Sequence, residues 1–208
     1  MVDWTRRDES IEHDTGEIED ISDAGAPEID PIDDVQRIEH GAGPAYHRRY
    51  AVVVRDAARS LDEAMAAIRA DPNVLADIDF SPFTKLEGEL GTMGVGDRYL
   101  VEIAGPWKGA VEITALDTDC VQMTTLDSHM EAGVIEFRFD QPAADRVSLT
   151  IESWARSGDR AMDLFYDKIG IARAVQGQMW VIACERFAEL IGGTPDGPVR
   201  VMTERSRR

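Results

Sequence analysis

Residues 159–191 read DRAMDLFYDKIGIARAVQGQMWVIACERFAELI, and this segment is the most informative about the fold of the chain. Apolar side chains recur in it at steps of three and four, with one wider gap, and acidic or amide side chains occupy the opposite side. The apolar positions are Met162, Phe165, Ile169, Ala172, Val175, Met179, Ile182 and Leu190. This spacing predicts one amphipathic helix that spans roughly 45 Å, at about 1.5 Å per residue, which is long enough to cross a small sheet.

Five segments upstream of this helix alternate between apolar and polar residues, which is the pattern of half-buried strands. They cover residues 98–104, 109–116, 120–126, 133–139 and 146–155. The turns between them are short, so neighbouring strands are predicted to run antiparallel. An earlier strand is predicted at 47–55. The capping box from Ser60 to Glu63 opens a helix that Asp71-Pro72 ends near residue 70.

The alternation assigns the side chains of these strands to two faces. Apolar residues on one face include Tyr99, Val111, Val121, Phe137 and Leu149. Polar residues on the other face are Glu102, Glu112, Gln122, Glu136, Arg138 and Glu152. Such a sheet packs on helices from one side only. The predicted fold class is therefore α+β, with a curved antiparallel β-sheet gripping a long C-terminal helix.

The composition narrows the classes of function. The chain has 40 acidic and 22 basic residues, a formal net charge of −18, which repels phosphate backbones and anionic membrane surfaces. This argues against nucleic-acid binding. No apolar run approaches the roughly 18 residues of a membrane span, and no apolar secretory segment follows the N-terminus. Cys120 and Cys184 suit buried thiols better than a disulfide. We therefore expect a cytoplasmic protein without a membrane span.

The charge is unevenly distributed along the chain. Residues 1–44 hold 14 acids and 3 bases, interrupted by prolines and glycines, and this composition predicts a separate acidic, mostly disordered segment. Isoleucines stand among the acids. The segment is therefore either a solubilising tail or an acidic-hydrophobic tail that docks on a partner or on the domain itself. The folded domain is predicted at 45–192, with a flexible tail at 193–208.

The order of the elements resembles a known superfamily. A strand, one or two short helices, a run of antiparallel strands and a long C-terminal helix resemble the helix-grip fold of the SRPBCC superfamily, which includes START domains and polyketide cyclases. The sequence ESWARSGD at 152–159, continuing through DKIGIAR at 167–173 to QGQMW at 176–180, is similar to an uncharacterised bacterial branch of it. The resemblance covers about residues 46–192. It implies an internal cavity for an apolar or amphipathic small molecule.

That resemblance implies a ligand site between the apolar face of the sheet and the long helix. Its expected lining combines apolar and aromatic side chains with one amide, as is usual for small-molecule pockets. The expected lining residues are Tyr99, Trp107, Phe137, Met162, Phe165, Ile169, Gln176 and Met179. Trp107, beside Gly105-Pro106, is either an aromatic lip over the pocket or a hairpin-tip side chain. The sequence indicates no cofactor, no metal and no catalytic residue.

Two polar motifs suggest chemistry but fall where the pattern predicts turns. Asp127-Ser-His129-Met-Glu131 has groups that bind metals or act as acid and base. It occupies a predicted hairpin turn, and no second histidine accompanies it at ligand spacing. Gly91-Thr-Met-Gly94-Val-Gly96 superficially resembles a phosphate-binding loop, but it precedes a strand rather than a helix. Both motifs are interpreted as turns.

Three functional hypotheses follow. The favoured one is a non-catalytic protein that binds an apolar small molecule, because no convergent catalytic set is visible. The first alternative is a cyclase- or dehydratase-like enzyme acting on a hydrophobic substrate, which needs a histidine, arginine or acid in its pocket. The second is a protein-interaction module that recruits a partner through the acidic residues 1–44 or through Trp154. Trp154 lies on the polar side of its strand, where simple edge packing is also open.

Overall fold

The fold is a large antiparallel sheet with two helices, seen in a computed structural model that describes residues 11–27, 33–79, 81–103, 107–127, 129–158 and 171–207. The helices are α1 (Leu61–Ala70) and α2 (Ile171–Ile191). The strands are β1 (Ile11–Ile18), β2 (Ala42–Arg55), β3 (Phe83–Glu87), β4 (Arg98–Ile103), β5 (Trp107–Leu116), β6 (Cys120–Thr125), β7 (Glu131–Ala143), β8 (Arg146–Ser157), β9 (Thr194–Pro195) and β10 (Val199–Ser206). Short 3-10 turns cover Ile21–Ala24, Ile38–His40 and Pro72–Leu75.

The strands form one curved sheet in the order β1-β10-β2-β8-β7-β6-β5-β4-β3. All neighbours in this order are antiparallel except β1 and β10, which are parallel, and β9 pairs with the end of β2. The five strands predicted between residues 98 and 155 are confirmed, with the ends of β7 and β8 extending further than expected. The α+β class and the antiparallel sheet are therefore confirmed.

Helix α1 begins where the sequence predicts. The N–H of Glu63 donates to the Ser60 hydroxyl at 3.2 Å, and the N–H of Ser60 donates to the Glu63 carboxylate at 2.9 Å. This reciprocal capping box satisfies two N–H groups at the start of the helix, which otherwise lack partners within it. Asp71 follows the last helical residue and caps the next 3-10 turn.

Helix α2 packs across the inner face of the sheet, which we define as the face turned toward α2. The ring centroids of Phe187 and Phe139 are 5.7 Å apart, and the edge of Trp180 meets Phe137 at 5.5 Å. Both phenylalanines of the first pair are fully buried. The structure shows α2 from Ile171 onward. The predicted start of this helix at residue 159 falls on 159–170, which lie outside the described residues.

Regular secondary structure extends beyond both predicted domain boundaries, at 44 and 192. Residues 11–18 form β1 and 199–206 form β10, so neither the acidic segment nor the C-terminal tail is unstructured where it is described. In β10 the valines at 199 and 201 alternate with polar residues and are buried against the core. Gln36 also joins the sheet, because its N–H donates to the Thr125 carbonyl at 2.8 Å and its carbonyl accepts from Gly133 at 3.1 Å.

The outer face of the sheet, opposite α2, carries polar side chains on β4–β8. Near β2 it is covered by residues of the acidic segment. Within the described part of the chain, five of the six predicted polar residues, Glu102 excepted, have side-chain hydrogen bonds on this face, for example from Gln122 to Glu136 at 3.1 Å. Near β2, Ile21, Ala45, Val134 and Trp154 form a small buried cluster. The Trp154 indole N–H donates to the Ala24 carbonyl at 3.0 Å. In the described region the acidic segment therefore packs on its own domain, and Trp154 is a packing residue.

His47 lies beside this outer cluster and predicts a pH-dependent contribution to stability. Its ring stacks on Trp154 and lies between Glu204 (2.7 Å) and Glu152 (3.2 Å). Burial lowers the pKa of His47, but the hydrogen bonds and charges of the two carboxylates outweigh it and leave the pKa above its ordinary value of 6.5. Because the folded pKa is raised, the stabilisation is complete below the unfolded pKa and is lost as pH rises through the folded pKa.

We therefore expect His47→Gln to lower the free energy of unfolding most at about pH 6 and least at about pH 9. Urea unfolding of wild type and variant across this range measures the difference. His40→Gln, at an exposed histidine, is the control for replacing a histidine by glutamine. A difference for His47→Gln that grows with rising pH would contradict the assignment.

No helix in the described part of the chain is long and apolar enough to cross a membrane.

Candidate functional site

An interior cavity lies between the inner face of the sheet and the two helices, in two adjoining compartments. The apolar compartment has a volume of about 30 Å³ and the polar compartment about 50 Å³. One water needs roughly 10–15 Å³ by this measure, so each compartment has room for a few waters. The cavity is therefore present but narrow in this structure.

The apolar compartment is bounded by α1, α2, β6 and β7. Its walls are mainly aliphatic and aromatic side chains, including Ile68, Leu75, Val121, Phe137, Phe139 and Ala183. The one buried hydroxyl is that of Ser81, which is 1% exposed and has no hydrogen-bond partner among the described residues. Such a wall favours a hydrophobic occupant.

Four side chains border both compartments: Phe83, Met123, Met179 and Trp180. Two of them are methionines, whose unbranched and flexible side chains adapt their shape to a neighbour. Met123 comes from β6 and Met179 from α2, so the partition is built from both sides of the cavity.

The polar compartment ends at a group of hydrogen-bonding side chains on β6, β7 and β8 and on the connection between β6 and β7. They are Thr125, His129, Glu131 and Ser153. Glu131 and Ser153 point inward because they share the parity of the inner-face residues on β7 and β8. His129 follows β6 and folds under Gly109, where an added Cβ would come within 1.9 Å of the imidazole. A glycine at 109 is thus required for this position of the ring.

His129 is held by the backbone of Glu131. Its Nδ1 lies 3.0 Å from both the amide nitrogen and the carbonyl oxygen of Glu131, so this atom is engaged in either neutral tautomer. Burial lowers the pKa of His129 below its ordinary value of 6.5, against the raising influence of Glu131. The ring is accordingly neutral near neutral pH. Nε2 is the ring atom left to meet an occupant of the compartment.

Arg48 and Glu131 form a buried ion pair beside the polar compartment. Arg48 Nη1 lies 3.6 Å from Glu131 Oε1, and both side chains are more than nine-tenths buried. Arg48 is on β2, directly opposite Ser153 on β8. Tyr50 follows on the same face, and burial raises the pKa of its phenol to about 12, so it stays protonated. The charges in this region therefore balance.

The structure places the predicted lining residues in three groups. Phe137 and Met179 border the cavity. Tyr99 is buried in the same core, with Lys85 Nζ 5.3 Å from its ring centroid, and is not among the residues that line either compartment. The side chains of Trp107 and Gln176 and all of Met162, Phe165 and Ile169 lie outside the described residues.

The motif around His129 lies between the antiparallel strands β6 and β7, as its interpretation as a turn predicted, but two of its side chains are buried. Asp127 is exposed, but His129 and Glu131 are buried. Glu131 has the parity of Phe137, so the alternation of β7 contained the signal that would have placed it inward. The described residues include no group of three or more His, Cys, Asp or Glu side chains placed to hold a metal ion.

The glycine-rich motif is confirmed as a turn. It belongs to the connection between β3 and β4, where the Asp97 carboxylate accepts from the Gly94 N–H at 2.8 Å. Lys85 donates to the same carboxylate at 2.7 Å and to the Thr92 carbonyl at 2.6 Å. A side-chain carboxylate thus occupies the position at which a phosphate-binding loop would bind its anion.

Comparisons with known proteins identify the fold. No family model matches the chain, and no curated protein matches it in sequence. Among solved structures, norcoclaurine synthase from Thalictrum flavum in complex with dopamine and hydroxybenzaldehyde has 8% identity and a TM-score of 0.52, covering 71% of this chain and 86% of that one. The truncated form of that synthase has 8% identity and a TM-score of 0.51, over 72% and 96% of the two chains.

A hypothetical protein from Helicobacter pylori is similar at the same level, with 9% identity, a TM-score of 0.51 and coverage of 69% and 86%. At these identities the likeness concerns the fold alone. The chain therefore shares the α+β fold of these structures, with a large curved antiparallel sheet and two helices.

Proposed function

We propose that this chain, with its SRPBCC-type fold, binds a small and mainly apolar molecule in the cavity between the sheet and α2. The observation that carries the proposal is an interior space with apolar walls that ends at a few buried hydrogen-bonding groups. Ligand pockets usually combine a mostly apolar lining with a small number of placed polar groups. The predicted lining residues outside the described part of the chain, such as Phe165 and Ile169, belong to the same proposal.

The size of the cavity limits the ligand. Compartments of about 30 and 50 Å³ are small beside an engineered cavity of about 150 Å³ that binds benzene. Rotation of Met123 and Met179 would join the two spaces and admit a single substituted ring. The norcoclaurine synthase structure contains dopamine and hydroxybenzaldehyde, two molecules of this size, which supports the proposal by analogy of fold.

Filling the apolar compartment should weaken binding. Ala183 lies on α2 in its wall, and Ala183→Leu adds three carbons to a space of about 30 Å³. We expect the affinity for p-xylene, measured by calorimetric titration, to fall on the order of tenfold or more, because the ring and the new side chain compete for one volume. Ala66→Leu on the exposed side of α1 is the matched control. Equal affinity of both variants would contradict the proposed location.

A cyclase- or dehydratase-like enzyme is the second candidate, because His129 and Glu131 border the cavity. Glu131 is already paired with Arg48, and one nitrogen of His129 is held by the backbone. Because both side chains already have partners within the protein, we favour binding over catalysis. Formation of a dehydrated or cyclised product from hydroxylated aromatic compounds, absent in His129→Gln, would favour the enzyme instead.

A further inference from the structure

We infer that the ligand is an uncharged molecule with a hydrogen-bonding group, such as a hydroxyl or carbonyl, which Ser153 and His129 bind at the polar end of the cavity. This inference rests on the proposed function and names the class of ligand. It excludes carboxylates and ammonium groups at that position.

The charge balance of the polar compartment is the reason to expect an uncharged ligand. Arg48 and Glu131 form an ion pair at 3.6 Å, and burial lowers the pKa of His129, so its imidazole is neutral near neutral pH. Among the described residues that line the polar compartment, a ligand charge would find no opposite charge outside the existing ion pair. An unpaired charge in a buried site is strongly unfavourable, because it loses its hydration without compensation.

Ser153 supplies the first hydrogen-bonding atom. Its side chain borders the polar compartment and the residue is 8% exposed. It lies on β8 opposite Arg48, and no hydrogen bond of its hydroxyl is found among the described residues. A hydroxyl both donates and accepts, so it suits either a ligand hydroxyl or a ligand carbonyl.

His129 supplies the second atom. Its Nδ1 is engaged with the backbone of Glu131, so the tautomer of the ring decides whether Nε2 donates or accepts. A neutral ligand group that can do both satisfies Nε2 in either tautomer. The remaining walls around this end are apolar, including Val101, Val111 and Ile135. The site therefore has a place for one polar group on an otherwise hydrophobic molecule.

Four probes with one ring and different substituents test the inference on the full chain. They are p-tolylmethanol, p-toluate, p-tolylmethylamine and p-xylene, titrated by calorimetry at about pH 7, where the acid and the amine are charged. We expect p-tolylmethanol to bind most tightly. The two charged probes should bind on the order of a hundredfold more weakly, because burial removes their hydration.

Two variants separate hydrogen bonding from shape. Ser153→Ala should weaken p-tolylmethanol about tenfold, the effect of one neutral hydrogen bond, and leave p-xylene unchanged. His129→Leu should act in the same direction, and retention of p-xylene binding reports that each variant still folds around the cavity.

The outcomes distinguish the two claims. Binding of p-toluate as tightly as p-tolylmethanol would overturn the inference while leaving the proposed function intact. Equal loss of p-tolylmethanol and p-xylene affinity in Ser153→Ala, or no loss of either, would also overturn it. Failure of every probe to bind wild type would overturn the proposed function, and the inference with it.

Discussion

Glu131→Gln is expected to lower the free energy of unfolding by about 3–5 kcal/mol. The reason is that Arg48 would keep its charge in the interior without the carboxylate that faces it at 3.6 Å. The loss of this carboxylate removes a partner from a buried charge, which is far more unfavourable than the ion pair is favourable. Urea unfolding, followed by circular dichroism, measures the change.

A double replacement separates the charge from the shape of the pair. Arg48→Met combined with Glu131→Leu removes both charges and keeps apolar volume, so it should recover most of the loss. Glu189→Gln, in the exposed pair with Arg186, is the surface control and should change stability by under about 1 kcal/mol. An effect of Glu131→Gln as small as that of this control would show that the ion pair is not buried as described.

Phe187→Ala is expected to lower the free energy of unfolding by about 3–5 kcal/mol. Phe187 is fully buried, and its ring lies 5.7 Å from that of Phe139 on β7. The substitution removes the contact that fixes the C-terminal half of α2 on the sheet and leaves a cavity, because close-packed neighbours relax only in part. Thermal and urea unfolding of the full chain give the magnitude.

The neighbouring residue Arg186 provides the control for Phe187. It is exposed on the opposite side of α2, so Arg186→Ala should alter stability by less than about 0.5 kcal/mol. A similar small effect for Phe187→Ala would mean that α2 does not grip the sheet through this face. The pair of variants therefore tests the packing of the helix as well as the magnitude of one side chain.

The sequence was sufficient for the central strands and for α1. The alternation from residue 98 onward predicted β4–β8 because each strand has one apolar and one polar face. Apolar residues therefore recur at every second position of the sequence. Helix α1 was predicted by its capping box, a purely local signal. These features depend on residues close in sequence, so a single sequence contains the information for them.

The edge strands were missed for a physical reason. β1 pairs with β10, at the other end of the chain, and β3 pairs only with β4 at the far edge of the sheet. Their stability comes from partners and not from a strong local pattern, and the acidic composition around β1 resembled a disordered segment. The isoleucines among those acids were the signal that pointed to packing, at Ile18, Ile21 and Ile38.

The polar end of the cavity was only partly predictable. Glu131 shares the parity of Phe137 and Arg48 shares that of Val52, so each could be assigned to the inner face. Their meeting depends on the register of β2, β8 and β7, which the sequence alone does not specify. The position of the His129 ring depends in addition on the absence of a side chain at Gly109. This proximity of two separate segments is not encoded by any local motif.

The most direct test of the proposed binding site is methionine methyl NMR of the full chain during titration with p-tolylmethanol. Met123 and Met179 border both compartments, whereas Met202 lies on β10 outside the cavity lining. We expect the methyl signals of Met123 and Met179 to shift in a saturable manner and that of Met202 to stay in place. Unchanged signals from Met123 and Met179 at saturating probe, or shifts confined to Met202, would contradict binding in the cavity between the sheet and α2.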